Sequence, residues 1–196
     1  MKSLLVLILA GLSFQQPLKP VPDSEVQRVA LAGWRAARAL APKGGAIDQL
    51  GPVNVRLKEL DQMPNIAARY AEIAIRAAVS AAQEERDEMQ LLLTHARDLS
   101  NQMGMAGTPA EWPLAIDELE GELWLEVDRF EEARAAYQQA VNKRPTPNAW
   151  IGLARSADKL GDTVTACLAY SKASSNAGLP SEVELEISLY KLKCQF

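Results

Sequence analysis

The sequence predicts an all-α protein in which antiparallel helical hairpins stack into a short solenoid. Apolar residues recur at helical spacing over most of the chain, and turn-forming residues separate these stretches. A pattern of small and aromatic residues also occurs twice, at a distance of 33 residues. The repeated residues are Ala133, Tyr137 and Ala140 in the first copy and Ala166, Tyr170 and Ala173 in the second. A period of this length is typical of stacked helical hairpins.

Residues 1–13, MKSLLVLILAGLS, have the pattern of a secretory signal peptide. Lys2 supplies the positive charge, and the apolar run that follows, Leu4–Ala10, is too short for a stable membrane anchor. A buried N-terminal helix is the alternative interpretation. We therefore expect an exported protein, periplasmic or extracellular, that does not span a membrane after signal removal. Residues 14–22 are rich in proline and are predicted to form an extended tether.

The charge balance argues against a nucleic-acid partner. The whole chain carries a formal net charge of −4. Removal of the signal peptide with Lys2 leaves 20 basic residues against 25 acidic ones, which is a net charge of −5. An acidic chain with no basic cluster has little means of displacing counterions from phosphates.

Residues 23–107 are predicted to form an N-terminal helical region. A capping box at Ser24 begins one amphipathic helix, and the segment 46–63 has room for one or two short helices. From Asn65 an alanine-rich helix and a second helix follow, separated by the polar patch 83–88. These two helices are either a longer, degenerate hairpin of the later kind or an unrelated pair.

Residues 108–180 contain the two copies of the repeated pattern, at about 114–146 and 147–179. Gly121 and Ala154 fall where two helices of a hairpin must approach closely, because a larger side chain would hold them apart. Gly161 suits the left-handed conformation that often ends a helix. Pro145 should end the second helix of the first copy, and Pro113 should begin its first helix.

These two copies resemble tetratricopeptide repeats. The family pattern W-x2-L-G-x2-Y, A-x3-F and P is matched by Gly121-x2-Trp124, Ala133-x3-Tyr137 and Pro145 in the first copy, and by Trp150-x2-Leu153-Ala154 and Ala166-x3-Tyr170 in the second. The first copy departs from the pattern at Asp117 and Glu120, and the second at Ala157. The resemblance covers about a third of the chain. It implies a protein-binding scaffold and does not name the ligand.

The same resemblance implies which residues line a partner-binding groove. In tetratricopeptide domains the first helix of each hairpin lines the concave surface. The positions that correspond here are Glu118, Glu122, Leu125, Asn148, Ile151 and Arg155. The family members that clamp a terminal carboxylate use Lys and Asn, whereas an acidic half-groove would suit a basic or neutral protein segment. The alternative is that these residues only keep a short array soluble.

Residues 181–196 are predicted to form a C-terminal capping segment. Ser181 and Glu184 can cap a helix, although Val183, Leu185 and Ile187 alternate as in a strand. The helical surroundings favour a helix. The segment has more apolar surface than one contact face requires, so a homodimer or a structural homo-oligomer through it is an alternative function.

No residue pattern predicts a catalytic, cofactor or metal site. The only histidine, His95, has Asp98 as a carboxylate neighbour, which leaves an envelope hydrolase as a further alternative. A single histidine and two distant cysteines do not make a zinc ligand set. The carboxylates at Glu118, Glu120, Glu122 and Glu126 are interpreted as a solvated helix face. We therefore predict a non-catalytic protein without a cofactor.

Cys167 and Cys194 are the only cysteines. An even number in an exported protein favours a disulfide. Against this, Cys167 follows the buried small residue of the second copy and is expected to point inward. The prediction is therefore two unpaired thiols, with the disulfide as the alternative.

Overall fold

The computed structural model describes residues 23–40, 47–105, 112–175 and 179–194, and 84% of these residues are helical, with no β-strand among them. Within these described residues there are nine α-helices: α1 (Asp23–Arg38), α2 (Gly51–Asp61), α3 (Ile66–Ala82), α4 (Arg86–Met105), α5 (Ile116–Glu126), α6 (Phe130–Lys143), α7 (Pro147–Lys159), α8 (Thr163–Ser174) and α9 (Ser181–Cys194). A 3₁₀ turn, Ile47–Leu50, precedes α2. The predicted all-α class is confirmed.

The helices pack as a stack of antiparallel hairpins. The pairs α3–α4, α5–α6 and α7–α8 each form one hairpin, and α6 packs on α7 to join the last two. Helices α1 and α2 cover α3 at one end of the stack, and α9 packs on α8 at the other. The C-terminal segment is therefore a helix and not the strand that its alternating apolar residues allowed. The predicted signal peptide and tether lie outside the described residues.

The three hairpins close with the same turn. One residue in each turn has a left-handed backbone: Glu84 at φ 61°, Asp128 at φ 60° and Gly161 at φ 77°. In each turn the N–H of the next residue donates to the carbonyl five positions earlier, at 2.9 Å. The conformation predicted for Gly161 is confirmed. The sequence does not reveal the other two, because glutamate and aspartate seldom have a positive φ.

Counted from this turn, the buried positions of all three hairpins correspond. Ala77 stands seven residues before the turn residue of its hairpin, as Gly121 and Ala154 do in theirs, and all three are buried. After the turn, the same positions are occupied in the first hairpin by buried Met89, Leu93 and Ala96, and in the second by buried Ala133, Tyr137 and Ala140. The α3–α4 pair is thus a longer hairpin built in the same way.

Side-chain caps and prolines explain several helix ends. Asn65 accepts a hydrogen bond from the N–H of Ala68 at the start of α3, and Thr146 accepts one from the N–H of Ala149 at the start of α7. Helix α6 ends two residues before Pro145, as the sequence predicts. The predicted start of the next-to-last hairpin at Pro113 is wrong by three residues, because α5 begins at Ile116.

Tyr137 connects the second and third hairpins. Its ring, which is 3% exposed, extends from α6 into the space between Gly121 on α5 and Gly152 on α7. The close approach predicted at Gly121 is therefore real, since a Cβ there would lie 2.7 Å from the ring of Tyr137. The same requirement at Gly152 has no signal in the repeated pattern, where this position is not one of the marked small residues.

The cysteine prediction is wrong, because Cys167 and Cys194 form a disulfide with their Cα atoms 5.7 Å apart. The buried face of α8 consists of Ala166, Ala169, Tyr170 and Ala173. Cys167 is only half-buried, on the flank of α8 that packs on α9. Its neighbour Ala166 faces inward. Because successive residues of a helix point about 100° apart, the thiol of Cys167 points toward α9.

Candidate partner-binding groove

A small cavity of about 230 Å³ lies between α5 and α7 and reaches α1 and α9 at its edges. We call it the α5–α7 groove. Five of the six residues implied by the tetratricopeptide resemblance line it: Glu118, Glu122, Asn148, Ile151 and Arg155. The sixth, Leu125, does not line the cavity and packs half-buried against the hydrophobic core around Tyr137. The structure thus brings together residues of two hairpins: Glu122 and Asn148 are 26 positions apart in the sequence, and Glu118 and Arg155 are 37 apart.

The groove residues differ in how accessible their side chains are to a binding partner. Glu118, at 8% exposed, and Ile151 are buried and form the floor. Glu122 and Arg155 are half-buried, and Asn148 is exposed. The accessible part of the groove is therefore polar, with Asn148 at its rim.

The carboxylates of α5 are held by partners from other helices. Glu118 accepts a hydrogen bond of 2.7 Å from the hydroxyl of Thr146. Glu122 accepts one of 2.9 Å from Arg38 on α1 and one of 2.8 Å from the hydroxyl of Tyr137. Arg38 also forms an ion pair with Glu126. Burial raises the pKa of Glu126, and the charge of Arg38 opposes that shift.

The interpretation of α5 as a solvated acidic face is therefore wrong for most of its carboxylates. Glu118 is buried, and Glu120 accepts two hydrogen bonds from Arg97 on α4, at 2.8 and 2.6 Å. Asp117, also buried, pairs with Arg97 at 3.0 Å and with Lys143 at 2.7 Å. These cations come from α1, α4 and α6, so helical spacing within α5 could not reveal them.

At the other end of the groove, Arg155 joins α7 to α9. Its guanidinium donates to Glu186 at 2.9 and 2.6 Å, and the hydroxyl of Tyr170 donates to the same carboxylate. Burial acts to raise the pKa of Glu186, but the hydrogen bonds from Arg155 and Tyr170 outweigh it and hold that pKa below its ordinary value. Burial and the Glu186 carboxylate together raise the pKa of Tyr170. Because two N–H groups of Arg155 donate to the one carboxylate of Glu186, the side chain of Arg155 is held beside the cavity.

The groove keeps an excess of negative charge after these pairs are counted. The carboxylates in or beside it are Glu118, Glu122, Glu126 and Glu186, and the guanidinium groups are Arg38 and Arg155. Four negative charges stand against two positive charges. Burial raises the pKa of Tyr137, and the nearby carboxylates of Glu122 and Glu118 raise it further. An arriving anion would be repelled, and a cation or a neutral polar group would not.

Sequence reasoning missed the residues that close the groove from its two sides. Trp34 on α1 and Val183 on α9 line the cavity, and Arg38 neutralises part of its charge. In the sequence, Trp34 and Val183 belong only to the apolar patterns of their own helices. No local signal identifies these residues as part of the groove, because the contact depends on how the end helices pack on the stack.

The residues proposed for a hydrolase lie elsewhere. His95 is half-buried on α4 and lines a separate cavity of about 710 Å³ together with Arg69 and Glu72. Asp98, its expected partner, is exposed. Within the described ranges no cluster of histidine, cysteine or acidic side chains could hold a metal ion. The hydrolase hypothesis stays a prediction from the sequence.

The fold and the groove together define an all-α protein of stacked helical hairpins with a small, net acidic cleft between two of them. No protein-family model matches the chain, and no curated protein or solved structure matches it. Of the helices that the structure describes, none is long and apolar enough to cross a bilayer. The function is therefore inferred from the groove and the surface of the chain.

Proposed function

We propose that this protein is an exported, non-catalytic protein–protein interaction module of the tetratricopeptide type. It binds a basic or neutral segment of a partner protein in the α5–α7 groove, in the periplasm or cell envelope. The observation that supports this proposal is the convergence of Glu118, Glu122, Asn148, Ile151 and Arg155 on one cavity, with four carboxylates against two guanidinium groups in or beside it.

The charge and the shape of the groove both favour a peptide over a compact small molecule. A cavity of about 230 Å³ is smaller than a typical ligand pocket of roughly 300–1,000 Å³. It can hold one or two side chains of an extended segment that continues along the rim. Asn148 at that rim can donate to, or accept from, a main-chain amide.

The disulfide supports the proposed location. Disulfides persist in secreted and periplasmic proteins and are rare in the cytosol, where thiols are kept reduced. The Cys167–Cys194 bond joins the last two described helices. This agrees with the signal-peptide pattern of residues 1–13.

The test is a selection of binding peptides with a matched pair of variants. The chain from residue 14 onward, which contains every described residue, is used to select from a random peptide library. Basic or neutral peptides should be enriched. Asn148→Arg adds a positive charge at the groove rim, so it should weaken binding of a selected basic peptide about tenfold.

The control for this selection is Asn101→Arg, which makes the same exchange at an exposed position of α4 outside the groove. It should leave the affinity unchanged. Enrichment of acidic peptides, or equal effects of the two variants, would show that the α5–α7 groove is not the binding site. Circular dichroism checks that both variants keep the helical content of the parent.

A second candidate function, a structural homo-oligomer, is favoured by one observation. Helix α9 exposes three leucines on the side that faces away from the stack. Both activities can exist in one protein, because α9 contributes only Val183 to the edge of the groove.

A further inference from the structure

Helix α9 is apolar on two opposite sides, although only one of them packs on the described part of the chain. Ile187 is buried against α8, and Val183 and Tyr190 are half-buried on the same side. On the outer side Leu185, Leu189 and Leu192 are 63%, 61% and 82% exposed. The helix at the end of a solenoid usually needs a polar outer face to stay soluble. The outer side of α9 instead has the composition of a surface that is covered.

The spacing of the three leucines fits a helix–helix seam. They are separated by four and then three residues, which is the spacing of the core positions in a coiled coil. Three such residues span two turns of the helix and form one straight stripe. The partner suited to this stripe is another helix with a leucine stripe of similar length.

The charges beside the stripe favour a second copy of α9 in antiparallel orientation. Exposed Glu182 and Glu184 lie in its first half, and exposed Lys191 and Lys193 lie in its second half. A twofold axis between residues 187 and 188 places Glu184 of one copy opposite Lys191 of the other. Lys193 already pairs with Asp158 of its own chain at 3.2 Å, so the argument rests on Glu184 and Lys191. The same axis brings Leu185 of one copy to within one residue of Leu189 of the other, about 1.5 Å along the helix. A parallel pair would set like charges against each other.

Helix α9 is also held firmly enough to act as a rigid docking element. The disulfide ties its C-terminal end to α8, and Arg155 holds Glu186 near its middle. The ring of Tyr190 stacks on Tyr170 with centroids 4.1 Å apart. A surface that is fixed before association loses less conformational entropy when it binds.

We propose that two copies of this protein associate through the outer faces of their α9 helices, packed antiparallel around the Leu185–Leu189–Leu192 stripe. The charge pattern selects the antiparallel orientation, and the leucines supply the binding energy. Helix α9 contributes only Val183 to the α5–α7 groove, and Val183 lies on the inner side of that helix. Pairing of the outer sides of α9 therefore leaves each copy with its own groove.

Sedimentation equilibrium tests the proposal, using the chain from residue 14 onward at micromolar to submillimolar concentration. The parent should follow a monomer–dimer equilibrium. Leu189→Glu places a charge in the seam and should raise the dissociation constant at least about tenfold. Leu91→Glu is the matched control, because Leu91 is 64% exposed on α4 and away from the stripe. It should leave the dissociation constant unchanged.

Charge exchange tests the orientation. Within the described part of the chain neither Glu184 nor Lys191 forms an ion pair, so both are free to meet a second copy. Glu184→Lys should weaken the dimer, and the double variant Glu184→Lys with Lys191→Glu should restore it. A monomeric parent at every concentration, or equal weakening by the Leu91 and Leu189 variants, would overturn the proposal. A double variant that stays as weak as the single one would overturn the antiparallel pairing.

The dimer and the peptide-binding function can fail separately. Leu189→Glu should keep the peptide selection of the parent, and Asn148→Arg should keep its dimerisation. A parent protein that dimerises but selects no peptide would support the α9 interface and contradict peptide binding in the α5–α7 groove.

Discussion

Within the α5–α6 hairpin, Gly121 packs closely against the ring of Tyr137, and Gly121→Ala tests this contact directly. A Cβ at position 121 would lie 2.7 Å from two atoms of the ring and 2.8 Å from a third. Carbon atoms in contact prefer about 3.5–4.0 Å. The ring would therefore have to move by roughly 1 Å.

Tyr137 has little freedom to make that movement. Gly152 lies against the other side of the Tyr137 ring and leaves no free space there. The hydroxyl of Tyr137 also donates to Glu122 at 2.8 Å. Overpacking of a core costs typically about 1–3 kcal/mol, and a rigid site belongs at the upper end of this range. Alanine regains up to about 1 kcal/mol in a helix interior relative to glycine. The net loss expected for Gly121→Ala is about 2 kcal/mol.

Thermal unfolding followed by circular dichroism measures this loss. For a chain of this size about 2 kcal/mol corresponds to a decrease of roughly 4–8 °C in the midpoint temperature. Gly104→Ala is the control, because Gly104 is exposed on α4 and has no atom within 4 Å of the added Cβ. It should leave the midpoint unchanged or raise it slightly. A Gly121→Ala variant that melts at or above the parent temperature would refute the packing argument.

Two further predictions concern the way α9 is held. Because the pKa of Glu186 is held below its ordinary value of 4.5, its stabilising contribution is present above that pH and is lost as the pH falls through the lowered pKa. Glu186→Gln should therefore reduce the free energy of unfolding more at pH 7 than at pH 3, in paired denaturant titrations; equal reductions would contradict this. Cys194→Ser opens a loop of 27 residues and should lower the free energy of unfolding by about 3 kcal/mol, as reduction of the parent should also do. A reduced parent that unfolds at the same denaturant concentration as the oxidised one would contradict the second prediction.

Most of the fold could be predicted from local sequence. Helical periodicity and capping residues located the helices, and the small residues at Gly121 and Ala154 marked the close approaches within hairpins. The α3–α4 hairpin is hard to recognise in the sequence, because its turn residue is Glu84 and Leu93 occupies the position that Tyr137 has in the next hairpin. A turn that needs a left-handed backbone is visible in the sequence when a glycine occupies it and is hidden when glutamate does.

The candidate site was predictable only in part. The resemblance to tetratricopeptide repeats implied that positions on α5 and α7 share one surface, and five of the six residues do line one cavity. Leu125 is absent from it because that position of α5 turns toward the core around Tyr137.

Short-range patterns were sufficient for the helices and their hairpin turns, because each depends on residues within one or two turns of each other, and the net charge follows from composition alone. The charge state and accessibility of the groove depended on the folded chain. Arg38 is 84 positions from Glu122, and Glu186 is 31 positions from Arg155, so only packing brings the members of each pair together. The disulfide followed the same rule, since the direction of Cys167 was set by where α9 packs and not by its neighbours in sequence.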